Sequence, residues 1–226
     1  MIGAPADASP LWRALWWLAL VLRPFFGTLR VDGRAHVPLE GGFVLASNHS
    51  PGADYVILGY TCPRQIYYMA KAEAFRVHPW LNRLLDALGT FPVERGGKDM
   101  AAFSASVDLL QSGRVVGMFP EGTRSRDGKL QRGKPGAVRI AMQAQLPVVP
   151  VVVIGGAQIF SRFRLRLGRP HVIVRFGPPI YLEGDVNDKA VVRDNTDVMM
   201  RGMADLLPPE LRGPYGEAPQ ADQLAP

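Results

Sequence analysis

From residue 28 onward, short apolar runs alternate with longer segments of helical periodicity. The apolar, β-branched and aromatic runs predict buried strands at residues 42–47, 66–71, 90–94, 115–119 and 147–155. The segments between them predict helices that start near Asp54, Trp80, Lys98 and Lys134. Alternation of this kind predicts βαβ units. The expected fold class is therefore α/β, with a mostly parallel central sheet flanked by helices.

A basic strand and its return are predicted after the last of these helices. Arg162, Arg164 and Arg166 alternate with apolar residues, which indicates a strand with one basic face. After a Gly-Arg-Pro break, "HVIVRF" predicts a second strand that returns antiparallel at the sheet edge. The basic face has two interpretations: a solvated edge that resists aggregation, or a surface that attracts anionic lipid head groups.

The C-terminal part of the chain changes character after a last predicted helix, at about residues 188–207. Residues 209–226 carry proline every few positions and have no periodicity, which predicts a disordered tail. A chain of 226 residues suits one hydrophobic core. The predicted organisation is an N-terminal segment at 1–27, one domain at 28–208 and the tail at 209–226.

The N-terminal segment is predicted to associate with a membrane. Its uninterrupted apolar stretch, residues 14–22, is nine residues long, whereas a bilayer span needs about 20. Tryptophans crowd one end and arginines flank the stretch, a pattern typical of a helix that lies in the membrane surface. The alternative is a buried first helix of the globular domain.

The composition indicates which classes of binding partner and metal the protein is expected to have. The formal net charge of +6 and the pI of about 9.8 favour anionic partners. The aromatic residues lie within apolar runs and form no stacking ladder, so we expect no nucleic-acid partner. The single cysteine, Cys62, excludes an internal disulfide, and the four histidines show no paired spacing that would bind a metal.

Polar clusters follow three of the predicted strands: "NHSPGAD", "ERGG" and "PEGTRS". Because the carboxyl ends of parallel strands share one edge of a sheet, we expect His49, Asp54, Arg95, Glu121 and Arg124 to meet there. A neutral imidazole can take a proton from a hydroxyl while a carboxylate fixes its tautomer. The alternative is that His49 is an ordinary loop residue and Asp54 caps the following helix.

The surrounding residues suggest what this pair would act on. Guanidinium groups and glycine amides in "ERGG" and "EGTRS" could hold a phosphomonoester. Ser50 lies in no G-x-S-x-G elbow, and Cys62 has no evident activating partner. We therefore expect His49 to activate a substrate hydroxyl directly, without an acyl-enzyme.

Four ordered segments, "NHSPGAD", "GTFPVER", "FPEGTRSRDG" and "LPVVPV", resemble the motifs of the glycerolipid acyltransferases, the family typified by 1-acyl-sn-glycerol-3-phosphate acyltransferases. The resemblance implies a glycerol-3-phosphate acyltransferase-like sheet preceded by a membrane-associating helical segment. It makes His49 the general base and Asp54 its partner. It assigns acceptor phosphate binding to Arg95 and acyl-site shaping to Pro147. The residues implied to bind the glycerol phosphate portion are Glu121, Gly122, Thr123 and Arg124.

The function implied by this resemblance is transfer of a fatty acyl group from acyl-CoA or acyl carrier protein to lysophosphatidic acid, giving phosphatidic acid. Neither a metal nor a redox cofactor is expected. The implied location is the cytoplasmic face of the cell membrane, as a peripheral or monotopic protein beside anionic lipids. Two alternatives remain open: an acyltransferase with another lysolipid or glycolipid acceptor, and a catalytically silent protein that binds anionic lipid.

Overall fold

The computed structural model describes residues 3–22, 27–50, 54–71, 78–93, 100–157 and 171–216. Its helices are α1 Pro10–Leu22, α2 Asp54–Thr61, α3 Pro79–Ala87, α4 Met100–Gln111, α5 Gly136–Ala144 and α6 Lys189–Ala204. Its strands are β1 Thr28–Asp32, β2 Phe43–Ser47, β3 Ile66–Lys71, β4 Thr90–Val93, β5 Val115–Met118, β6 Val148–Ile154 and β7 His171–Phe176. These bounds lie close to those predicted from the apolar runs.

The described strands form one sheet in the order β1-β7-β6-β2-β5-β3-β4. Strands β2 to β6 are mutually parallel, which confirms the predicted α/β class. The return of β7 antiparallel to β6 also agrees with the sequence. However, β7 is not the edge strand, because β1 pairs with its free side in parallel. The basic run at residues 162–166 lies outside the described residues.

The central strands are covered on both faces. Alternate side chains of β2 point to opposite sides, as strand geometry requires. Val44 and Ala46 pack in the cluster formed with α4, α5 and α6, whereas Phe43 and Leu45 pack in the cluster that contains residues of α2. This double coverage explains why the central strands are continuous apolar runs rather than alternating ones.

Helix α1 docks on the domain by one face and exposes apolar side chains on the other. Trp16 is buried, stacks on Tyr60 and donates its indole N–H to the Tyr60 carbonyl oxygen at 2.9 Å. The exposed side chains on the opposite face are Trp17, Leu18 and Val21. Among the described residues, no helix combines the length and the apolarity needed to cross a bilayer. The contacts of Trp16 with Tyr60 join helix α1 to the folded domain, and its association with a membrane stays a prediction.

The predicted disorder of 209–226 is wrong for residues 209–216. Short 3-10 turns at Pro209–Leu211 and Gly213–Tyr215 rest against the domain. The Leu211 carbonyl oxygen accepts the N–H of Leu130 at 2.9 Å, and the Tyr215 hydroxyl accepts the N–H of Gly133 at 3.1 Å. Leu211 and Tyr215 also pack on the core beside α6, so two apolar contacts outweigh the proline-rich composition. Residues 217–226 lie outside the described residues.

A buried guanidinium joins the N-terminal segment to the sheet. Arg64 donates from Nε to the Asp7 carboxylate at 2.6 Å. Its terminal nitrogens donate to the backbone carbonyl oxygens of Pro38, Gly41 and Gly113. One side chain thus connects four segments that are distant in sequence.

We expect Arg64→Met to lower the free energy of unfolding by about 2–4 kcal/mol, because three carbonyl oxygens and a carboxylate lose their donor. Chemical denaturation measures the change. Arg30→Met, at an exposed pair with Asp32, serves as the control and should change stability by less than about 0.5 kcal/mol. Equal losses in the two variants would contradict the assigned role of Arg64.

Candidate active site

The structure brings the predicted histidine and aspartate together at the carboxyl end of β2. His49 lies two residues beyond the strand, and Asp54 is the first residue of α2. Nδ1 of His49 lies 3.1 Å from Oδ2 of Asp54, whose side chain is fully buried. An ionised carboxylate can only accept hydrogen bonds, so Nδ1 carries the proton and Nε2 is left free to act as a base.

Asp54 receives further hydrogen bonds from the loop that carries His49. The Ser50 N–H donates to Oδ2 at 2.9 Å, and the Ser50 hydroxyl donates to Oδ1 at 2.7 Å. The carboxylate also lies at the N-terminus of α2, where the helix dipole favours negative charge. The helix start and the orientation of His49 are therefore compatible roles for Asp54.

Aromatic side chains fix the plane of the imidazole. The Phe119 ring stacks on His49 with centroids 4.1 Å apart, and the Tyr55 ring meets it edge-on at 5.9 Å. Phe119 follows β5, in a run that the sequence marked only as a buried strand. Its role beside His49 was missed, because an apolar run does not show which of its members reaches the sheet edge.

Glu121 connects the His49 loop to the loop after β5. Its Oε1 accepts the backbone N–H of His49 at 2.7 Å, and its Oε2 accepts that of Gln131 at 3.0 Å. In return, the His49 carbonyl oxygen accepts the N–H of Ser125 at 2.8 Å. Burial raises the pKa of Glu121 above its usual value, while the two backbone donors act in the opposite direction. Oε1 therefore holds the His49 loop and Oε2 holds Gln131 of the loop after β5, and the implied contact with substrate stays a prediction.

Asn48 is a second positioning residue that sequence reasoning missed. Its buried side chain donates from Nδ2 to the Val153 carbonyl oxygen at 3.0 Å and accepts the Val153 N–H on Oδ1 at 2.7 Å. These bonds continue the pairing of β2 with β6 by one residue. The direction in which the chain leaves the sheet toward His49 is thereby fixed.

Of the other predicted site residues, three lie on the loop joined to His49, one lies far from His49 and one lies outside the described residues. Gly122, Thr123 and Arg124 are exposed on the loop that Glu121 ties to His49. Pro147 precedes β6, and its carbonyl oxygen accepts the N–H of Val44 near the start of β2. At about 3.3 Å per residue, this places Pro147 roughly 20 Å from His49, at the opposite edge of the sheet. Arg95 lies outside the described residues.

An apolar cavity of about 500 Å³ adjoins the aromatic cluster. Helices α1 and α2 form one wall, and β3 with the start of β4 forms the other. Tyr55 and Tyr68 line the cavity, and Tyr55 also contacts the His49 ring. Pro147 is not among the lining residues, so the implied role of Pro147 in an acyl site has no support from its position. A volume of this size can hold an extended small molecule.

Two other kinds of reactive group, a cluster of metal ligands and a reactive cysteine thiol, are absent from the described residues. Within the described ranges, no three His, Cys, Asp or Glu side chains are grouped so that they could hold a metal ion. Cys62 is fully buried at the end of α2, and burial raises the pKa of its thiol to about 12. The reactive form of cysteine is the thiolate, which is therefore scarce at neutral pH.

We expect Cys62 to resist a thiol-specific reagent in the native protein at pH 8, where the thiolate fraction is on the order of 10⁻⁴. In denaturant one thiol per chain should react rapidly, since the chain has one cysteine. Absorbance of the released chromophore measures both rates. Fast stoichiometric labelling of native protein would contradict the assigned burial.

The chain is similar in sequence to bacterial acyltransferases. A 1-acyl-sn-glycerol-3-phosphate acyltransferase of Bacillus subtilis is 36% identical over 146 residues, which cover 62% of this chain and 71% of that protein. A protein of the same name from Borreliella burgdorferi is 28% identical over 134 residues, covering 58% of this chain and 53% of that protein. The chain thus spans about half the length of the second relative.

The fold is shared with a solved structure. The crystal structure of the 1-acyl-sn-glycerophosphate acyltransferase PlsC from Thermotoga maritima superposes with a TM-score of 0.64 at 21% identity, covering 87% of this chain and 79% of that chain. The family model described as Acyltransferase matches residues 28–154, the part that includes His49, Asp54 and the Glu121 loop. Because this match extends over more than half of the sequence, the chain belongs to the acyltransferase family.

Proposed function

We propose that the protein transfers a fatty acyl group from a thioester, acyl-CoA or acyl carrier protein, to the free hydroxyl of lysophosphatidic acid and so forms phosphatidic acid. The names of the relatives support this acceptor. The observation that carries the proposal is the hydrogen bond of 3.1 Å between His49 and the buried Asp54 carboxylate. It leaves one imidazole nitrogen free as a base at the sheet edge.

The proton path follows from this tautomer. Nε2 of His49 takes the proton of the acceptor hydroxyl as the hydroxyl oxygen attacks the thioester carbonyl carbon. Asp54 stabilises the imidazolium that forms, through the hydrogen bond to Nδ1. Stacking on Phe119 keeps the ring from rotating away from the acceptor.

The thioester supplies its own leaving group. When the tetrahedral intermediate collapses, the carbon–sulfur bond breaks and the new ester bond remains. A thiol with a pKa near 8.5 leaves readily as thiolate, and the imidazolium can return the proton to it. The proposed transfer therefore uses the thioester as its only co-substrate.

The acceptor and the acyl chain are assigned to different sides of His49. The exposed loop at Gly122–Arg124 offers a guanidinium and a hydroxyl for the glycerol phosphate portion, and the sequence adds Arg95 for the phosphate. The apolar cavity between α1, α2 and β3 offers an environment for the acyl chain. Tyr55 belongs both to this cavity and to the surroundings of the His49 ring. A chain in the cavity would therefore end close to the base.

The exposed face of α1 supports a location at the membrane surface. Trp17, Leu18 and Val21 are exposed on the same helix whose Trp12 and Trp16 line the cavity. An interfacial helix with this composition would hold the cavity and the site beside the bilayer, where single-chain acceptor and two-chain product both reside. We also propose that the protein attaches to the cytoplasmic face of the membrane. The basic run at 162–166 would attract anionic lipids there.

We expect His49→Ala and Asp54→Asn each to lower kcat for lysophosphatidic acid acylation by roughly 10²–10⁴, because the base is removed or held in the wrong tautomer. Release of free thiol from acyl-CoA measures the rate. The control is Asp108→Asn, at an exposed position on α4, which should match wild type. If His49→Ala protein keeps its full rate, the proposed mechanism is wrong.

We expect Ala19→Phe, in the cavity wall, to shift preference toward shorter acyl donors. The added ring occupies space that a long chain would need. The ratio of kcat/KM for long-chain to medium-chain acyl-CoA should fall roughly tenfold. Val21→Phe is the matched control, since Val21 lies on the same helix but is exposed and does not line the cavity. An unchanged ratio in Ala19→Phe would show that the acyl chain does not occupy this cavity.

A further inference from the structure

The ammonium group of Lys134 lies beside Gly122. A Cβ atom placed on residue 122 would be 2.6 Å from Nζ of Lys134 and 2.9 Å from its Cδ and Cε. Residue 122 also adopts a φ of +72°, which favours glycine. The end of the lysine side chain therefore lies beside the position that a Cβ atom would take at residue 122.

Lys134 is held in this place by its own backbone. Its N–H donates to the carbonyl oxygen of Pro120 at 2.8 Å, so residue 134 is fastened to the start of the Glu121–Arg124 loop. The next residue, Pro135, is the N-cap of α5 and restricts the backbone further. The chain thus returns after 12 residues to place a cation on the loop that also contacts His49.

Lys134 forms no ion pair within the described part of the chain. The carboxylate of the neighbouring Glu121 accepts from the backbone of His49 and of Gln131. No described carboxylate forms an ion pair with Lys134 or with Arg124, and both side chains are exposed. The backbone N–H groups of Thr123 and Arg124 also donate to no acceptor among the described residues.

These donors share one chemical preference. An ammonium, a guanidinium and unpaired backbone N–H groups beside a left-handed glycine all favour an oxyanion. A phosphate monoester carries the charge and the acceptor oxygens that two cations and a loop can satisfy together. A carboxylate would match fewer of these donors.

We propose that Lys134 binds the phosphate group of the acceptor together with the Gly122–Arg124 loop. The inference rests on the proposed function and adds to it a phosphate ligand that none of the four motif segments contains. In this arrangement the ammonium lies beside Gly122, at the point where the loop adopts its positive φ. The phosphate would then lie on the same loop that Glu121 ties to the backbone of His49.

Steady-state kinetics of the purified full-length chain test the assignment, with lysophosphatidic acid and acyl-CoA varied in turn. Lys134→Met should raise the KM for lysophosphatidic acid about tenfold or more, because the ammonium contacts bound phosphate, while kcat stays within about threefold. The KM for acyl-CoA should not change. Lys134→Arg should restore most of the affinity, since a guanidinium also binds phosphate.

The control is Lys189→Met, which removes an exposed lysine at the start of α6 and should leave all constants unchanged. Monoacylglycerol is the matched acceptor without phosphate, and its acylation should be equally slow in wild type and Lys134→Met. Thermal unfolding verifies that the variants are folded. An unchanged KM for lysophosphatidic acid, a rise confined to the KM for acyl-CoA, or an equal rise in Lys189→Met would each overturn the assignment. If wild type turns over none of these acceptors, the proposed function fails instead.

Discussion

A carboxylate that is shielded from water must find its hydrogen-bond donors inside the protein, and Asp54 finds them in His49 and Ser50. Two oxygens receive three hydrogen bonds at 2.7–3.1 Å, so the charge is compensated where it is buried. The same bonds select the imidazole tautomer and its orientation. Stability and chemistry therefore depend on the same interaction. Removing the carboxylate charge releases the base, and turning the base away removes one of the three donors to the buried carboxylate.

The sheet makes this interaction possible. Strands β2 and β5 are parallel neighbours, so the loops that follow them leave from one edge. Glu121 on the second loop holds the backbone of His49 on the first, and a return bond from Ser125 completes the link. Asn48 continues the pairing with β6 on the other side. The histidine is thus supported from both neighbouring strands, which is the rigidity that a positioned base requires.

The apolar pattern was sufficient to predict the central strands and their parallel direction, because burial on both faces leaves a local signature in the sequence. It also placed His49 and Asp54 at one edge, since strand direction determines where loops meet. Other features depend on tertiary contacts that no local pattern records. The sequence placed Pro147 at the start of a buried strand, but it did not show that this end of the strand lies away from His49 and from the cavity. Tyr215 orders a segment of disorder-like composition through one hydrogen bond and a few apolar contacts. The bond of Glu121 to the backbone of His49 joins residues that are far apart in sequence.

The central claim is that the His49–Asp54 pair acylates the hydroxyl of a phosphorylated single-chain glycerolipid. Mass spectrometry of the products tests it most directly, with purified protein, one acyl-CoA and an equimolar mixture of lysophosphatidic acid, lysophosphatidylcholine, lysophosphatidylethanolamine and monoacylglycerol. The account predicts that phosphatidic acid is the dominant new lipid. Dominance of another acylated product, or release of free fatty acid alone, would contradict it.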